Sequence, residues 1–88
     1  MAMLENKIVL VTGGSTGIGR ATAVKLAKQG ATIAVADIQD AEGAETVSMV
    51  EQAGGRAEYH HVDVADYEAV KMTIARIVDQ HGLSLIHI

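Results

Sequence analysis

The residues best suited to chemistry lie in one ten-residue stretch, Val11-Thr12-Gly13-Gly14-Ser15-Thr16-Gly17-Ile18-Gly19-Arg20. Gly13, Gly14, Gly17 and Gly19 flank two adjacent hydroxyl residues, Ser15 and Thr16, and where side chains are missing another molecule can approach the backbone closely. A helix that opens near Gly17 presents unpaired N–H groups and the positive end of its dipole, so an anion placed there gains hydrogen bonds and electrostatic attraction together. A turn that uses glycine only for its positive φ needs neither this many glycines nor Ser15 and Thr16. A second polar group, the carboxylate of Asp37, stands 18 residues after Gly19 and can accept hydrogen bonds from hydroxyl groups.

The segments around these residues decide whether they can act together. Lys7 to Thr12 (KIVLVT) is a continuous apolar run rich in β-branched residues, the pattern of a strand buried on both faces in a parallel sheet. From Ile18 to Gln29 there is no breaker, and Gly19, Thr22, Ala23, Leu26 and Ala27 share one helical face while Arg20, Lys25 and Lys28 lie away from it. Gly30 closes this helix. Thr32 to Ala36 repeats the buried-strand pattern and stops at Asp37. Asp40 to Ala53 reads as a second helix with a stripe through Ala44, Val47 and Val50, ended by Gly54-Gly55, and Ala57 to Val62 reads as a third strand. Asp66 is placed to cap a third helix with Tyr67, Val70, Ile74, Ile77, Val78 and His81 on one face. Gly82 ends it, and residues 83–88 read as a truncated fourth strand or as a non-native tail. The order β-α-β-α-β-α-(β) with short connections predicts an α/β fold, a doubly wound parallel sheet that is incomplete, with three to four strands and helices on both faces.

This context separates two kinds of phosphate loop. Gly14 and Gly19 have the glycine spacing of the mononucleotide motif G-x-x-x-x-G-K-[ST], but Arg20 and Ala21 stand where that motif needs its lysine and its magnesium-binding hydroxyl. A dinucleotide site instead requires a carboxylate at the end of the second strand, about 20 residues past the glycines, to hold the adenosine ribose. Asp37 meets that demand. It would repel a 2′-phosphate, and its neighbours Thr16 and Ile38 carry no cation, so NAD is expected over NADP.

Taken together, Thr12-Gly13-(x3)-Gly17-Ile18-Gly19, Asp37 and Asp63-Val64 resemble the amino-terminal half of the short-chain dehydrogenases/reductases, over Leu4 to Gly82. The resemblance implies a Rossmann sheet, with residues 1–82 the first part of an NAD(P)-binding domain. It implies that Gly13, Ser15, Thr16, Gly17, Ile18 and Gly19 surround the phosphates, Ser15 through its hydroxyl and Ile18 through its N–H. By the same likeness Asp37 holds the ribose, Ile38 flanks the adenine, Asp63 meets the adenine amino group and Val64 packs on the ring. It further implies hydride transfer between the nicotinamide and an alcohol or carbonyl substrate, in a full-length form that is a homo-oligomer. The family's Asn-Asn-Ala-Gly strand end and its later Ser and Tyr-x-x-x-Lys are not found, so no catalytic residue is assigned and this chain alone is expected to be inactive. A dinucleotide-binding module without catalysis and a phosphate-loop nucleotide hydrolase stay open as other functions.

Tyr67-Glu68-Ala69-Val70-Lys71 does match Tyr-x-x-x-Lys, a spacing that puts an ammonium beside a phenol on one helical face. It begins the helix after the third strand, at the adenine end of such a site, and Tyr67 is expected to be a packing residue on the apolar stripe. His60 and His61 are adjacent on an extended segment, point to opposite faces and cannot share a metal. His81 is placed as a favourable cation at a helix C-terminus.

Composition narrows the remaining classes. The 88 residues are 49% hydrophobic and 20% charged, as in a single packed domain built from Val, Ile, Leu, Ala and Met. A net charge of -4 offers no basic patch for nucleic acid or anionic membranes. There is no cysteine for disulfides or thiolate metal sites, no apolar run near the length of a membrane span and no apolar stretch ahead of the first strand to act as a signal peptide. A cytoplasmic location is the resulting expectation.

Overall fold

The structure, a computed structural model, describes residues 4–82 and 85–87. Its elements are β1 (Ile8–Thr12), α1 (Gly17–Lys28), β2 (Thr32–Asp37), α2 (Asp40–Gln52), β3 (Arg56–His61), α3 (Tyr67–His81) and β4 (Leu85–His87). The four strands form one parallel sheet in the order β3-β2-β1-β4. The chain steps outward from β1 to β2 to β3, then returns through α3 to lay β4 on the other side of β1. This reversal makes a topological switch point between β1 and β4, and the glycine loop leaves β1 beside it. The sheet is Rossmann-like and doubly wound.

Alternation along the strands sorts the core into two layers. Val9, Val11, Ile33 and Val35 pack with Ala23, Ala27 and Val50, which places α1 and α2 on one face. Ile8, Leu10, Ala34 and Ala36 pack with Val62 and Ile77, which places α3 on the other. Both faces of β1 and β2 are therefore buried, which is why those segments read as unbroken apolar runs rather than as alternating ones. The register pairs Val11 with Val35 and Thr12 with Ala36, while Asp37 pairs with His61 on β3. In a parallel sheet this gathers the carboxyl ends of β1, β2 and β3 at one edge.

Five details differ from the sequence reading. Asp37 belongs to β2 rather than following it, and β3 begins and ends one residue earlier than Ala57 to Val62. The buried face of α2 runs through Gly43, Thr46 and Val50, and Ala44 is exposed. Small and polar residues can line that face because α2 lies close to Tyr59 and to α1. Arg20 does not point away to solvent: its Nε donates to the Thr46 hydroxyl (2.9 Å) and its Nη2 to the Glu42 carbonyl (2.9 Å), with Nη1 3.4 Å from Glu45, so it joins α1 to α2. Tyr67 is 73% exposed, not packed. It occupies the first position of α3, where the helix has yet to descend onto the sheet; burial starts with Ala69, Val70 and Thr73 and is complete at Ile77. Asp66 does cap α3, its carboxylate accepting from the Ala69 N–H at 3.1 Å.

Candidate functional site

The loop after β1 stays tied to β2 by a bond from the Gly13 N–H to the Ala36 carbonyl (2.9 Å). Gly13 and Gly17 have φ of +67° and +56°, a region that side chains disfavour. A Cβ on either would meet nothing within 4 Å, so both face open space. Gly19 is needed for another reason. A Cβ there would overlap the carbonyl oxygen of Gly13, so the first turn of α1 crosses the loop in direct backbone contact. Thr16 is the extended residue before the helix, its side chain makes no capping bond, and the first turn carries no acidic residue. The amino end of α1 thus has no side-chain cap and no acidic residue competing with an outside anion for its dipole, and Ile18 beside it is 87% exposed. The residues fit a dinucleotide pyrophosphate.

Ser15 stands apart from this open surface. The resemblance implies a hydroxyl donor to phosphate, but the residue is fully buried and its hydroxyl donates to the Gln39 carbonyl (3.4 Å). Its N–H donates to Asp37 Oδ2 (3.3 Å), and its carbonyl accepts from the Thr46 hydroxyl (3.1 Å). Ser15 therefore fastens the glycine loop to the turn between β2 and α2.

That turn carries the second half of the site. Asp37 Oδ1 accepts from the Ile38 N–H at 2.7 Å. Partial burial pushes the Asp37 pKa up, but bonds from the Ile38 N–H and from Ser15 and Gln39 outweigh it, and the carboxyl ends below its ordinary value. A carboxylate held ionised is an acceptor for ribose hydroxyls. The Tyr59 hydroxyl lies 2.7 Å from both the Asp37 carbonyl oxygen and Asp40 Oδ1, and His61 Nδ1 lies 2.6 Å from the same Asp40 oxygen. These bonds from His61 and Tyr59 lower the Asp40 pKa.

The Val62 N–H donates to the Asp37 carbonyl (3.0 Å), so the chain leaving β3 passes directly beside Asp37. Asp63 follows, its Oδ1 accepting from the Ala65 N–H (2.9 Å), and Val64 is 53% exposed. Ile18, Ile38 and Val64 are thus large apolar side chains left uncovered on segments that leave the carboxyl edge, suited to flanking a flat heteroaromatic ring. Tyr67 and Lys71 do come together, with Lys71 Nζ 5.9 Å from the ring centroid, but as an exposed cation–π pair at the start of α3.

The histidines divide as their alternation requires. His60 meets Glu58, which also holds His81 at 2.8 Å, whereas His61 turns to Asp40 on the opposite face. Among the described residues no group of three or more His, Cys, Asp or Glu is arranged to hold a metal ion.

Sequence reasoning missed Arg20, Gly43, Thr46, Tyr59 and His61 as supports of the site. Each acts across more than twenty positions or beside another element, and no local pattern marks such pairs. The adjacency of β2 and β3 was the one available signal for Tyr59 and His61.

A family model described as short chain dehydrogenase matches residues 7–85. The chain is 42% identical over 82 residues to a 3beta-hydroxysteroid dehydrogenase of Mediterraneibacter gnavus, covering 93% of this chain and 30% of that protein. It is 47% identical over 78 residues to the short-chain dehydrogenase/reductase homolog YusS of Bacillus subtilis, covering 88% and 72% of the two. A solved structure of NAD+-bound xylitol dehydrogenase superposes with a TM-score of 0.85 at 34% identity, over 91% of this chain and 31% of that one. The chain thus spans about a third of the length of two of these three relatives. With the fold, the glycine loop and Asp37 in their places, the chain belongs to the short chain dehydrogenase family.

Proposed function

We propose that this chain is the cofactor-binding amino-terminal part of an NAD-dependent oxidoreductase that, in full-length homo-oligomeric form in the cytoplasm, acts on a small alcohol or carbonyl compound. The observation that carries this reading is the coupling of the two halves of the site: the Ser15 N–H donates to Asp37, so the anion-binding loop and the ribose carboxylate are held as one unit. Gly13, Thr16, Gly17, Ile18 and Gly19 bind the phosphates, mainly through backbone N–H groups, while Ser15 orders the loop. Asp37 takes the ribose hydroxyls, and Ile38, Asp63 and Val64 receive the adenine. The nicotinamide, when bound, supplies the hydride chemistry. These residues hold the adenosine and pyrophosphate half of the cofactor. Asp37 favours NAD over NADP, because its ionised carboxyl repels a 2′-phosphate and the nearby His61 is already turned to Asp40. The relatives' names, a steroid dehydrogenase and a xylitol dehydrogenase, support an alcohol or carbonyl substrate class.

Calorimetric titration of the chain with NAD and NADP tests the reading. NAD is expected to bind more tightly, and Asp37→Ala, which removes bonds to a charged acceptor, weakens NAD about 10- to 100-fold. An unchanged NAD affinity in Asp37→Ala refutes the assignment, and magnesium-dependent binding of ATP in both proteins would favour a phosphate-loop hydrolase.

A further inference from the structure

Tyr59 sits mid-strand in β3, opposite Val35 of β2, on the sheet face covered by α1 and α2. Its ring crosses the first turn of α2 at Gly43, where any Cβ would overlap the ring carbons. Gly43 is therefore a notch, and a helix interior tolerates glycine poorly unless something occupies the space it leaves. Through that notch the phenol reaches the turn that carries Asp37. Its one proton goes either to the Asp37 carbonyl or to the Asp40 carboxylate, both 2.7 Å away. The two acceptors are the last residue of β2 and the first of α2, so this single group spans the whole turn. The Val62 N–H holds the same Asp37 carbonyl from the β3 side. Burial, and then the Asp40, Asp37 and Glu42 carboxylates, raise the phenol's pKa and so favour its protonated, donating form.

We propose that Tyr59, seated in the Gly43 notch, is a positioning residue that fixes the β2–α2 turn so that the Asp37 carboxylate is aimed at the adenosine ribose. This deepens the proposed function and rests on it for its ligand. Tyr59 acts through Asp37, whose carbonyl it anchors while the Ile38 and Ser15 N–H groups orient the carboxylate.

The test compares NAD with its analogue lacking the adenosine 2′-hydroxyl, by calorimetry on the chain. The ratio of the two Kd values measures how well Asp37 meets that hydroxyl. Tyr59→Phe keeps the ring in the notch and removes one neutral hydrogen bond, and the ratio is expected to fall about 3- to 10-fold while affinity for the deoxy analogue holds. A merely structural role would weaken both ligands alike and leave the ratio as in wild type, which overturns the proposal. Gly43→Ala displaces the ring and is expected to lower the ratio similarly, with no further fall in the double variant, because both substitutions break one linkage. A ligand-free arm separates this idea from the cofactor assignment: Tyr59→Phe is expected to shift the Ile38 and Ser15 amide resonances and the pH at which they follow Asp37. If wild type does not distinguish the two ligands, the ribose assignment of Asp37 fails. The amide arm then still decides for Tyr59, and unchanged resonances overturn its role.

Discussion

Gly19→Ala inverts a rule of helix stability, and its outcome measures how closely α1 lies on the glycine loop. In an exposed helix interior, replacing glycine with alanine stabilises by about 1 kcal/mol. At Gly19 the new methyl would meet the Gly13 carbonyl oxygen and carbon and the Gly14 Cα, all backbone atoms that no rotamer change can clear. Relief requires the loop and the first turn of α1 to separate, and forced overpacking of this kind costs about 1–3 kcal/mol. Subtracting the propensity gain leaves a net destabilisation of up to about 2 kcal/mol. Separation also moves the helix N–H groups from the phosphate position, so NAD affinity falls further than stability alone predicts. Urea denaturation and NAD calorimetry on the chain read the two effects. A Gly19→Ala protein that is more stable than wild type and binds NAD equally well would refute the backbone contact and the loop assignment together.

Other outcomes follow from the same geometry. Arg20→Ala removes the bonds to Thr46 and the Glu42 carbonyl that join α1 to α2, and should cost about 1–3 kcal/mol in urea denaturation. Ile77→Ala empties a fully buried site between α3 and the sheet and should cost about 2–5 kcal/mol, whereas Tyr67→Ala, on the same helix but exposed, should stay within about 0.5 kcal/mol of wild type. Asp37 and Asp40 both have folded pKa values below the ordinary carboxyl value of 3.8, so the unfolded chain takes up protons first as the solution is acidified. Their contribution is full above that value and is lost as the pH falls through the lowered folded values. Urea midpoints should therefore drop on acidification below 3.8, with a shallower fall in Asp37→Asn. The chain alone should produce no NADH with any alcohol, monitored by absorbance. Measurable turnover would place catalytic groups among residues here assigned to binding and packing.

Much of the fold was legible because local rules and the tertiary answer agree. Runs such as IVLVT and TIAVA are apolar on both faces because β1 and β2 are buried on both faces, and the glycines and Asp66 end or begin helices by backbone geometry that one residue decides. The spacing of Gly13, Gly17, Gly19 and Asp37 was equally readable, since the strand–loop–helix order dictates which atoms reach the carboxyl edge. Where periodicity was extended to the ends of helices it failed. Tyr67 has the right phase for burial but sits where α3 has no sheet beneath it, and Ala44 lost its place to Gly43 because the Tyr59 ring needed the space.

The sequence by itself determined that the chain would alternate strand and helix, that its loop would bare backbone to an anion, and that a carboxylate would stand at the next strand end. These follow from residue type and short-range spacing, which act within a turn or two of backbone. Only the tertiary structure decided that Ser15 turns inward to join that loop to Asp37, that Arg20 binds α2 instead of solvent, and that Tyr59 reaches through Gly43 to the same turn. Such contacts form between groups brought together by crossovers of twenty residues and more. They depend on the distance between packed elements, a quantity set by the whole core and written in no single segment.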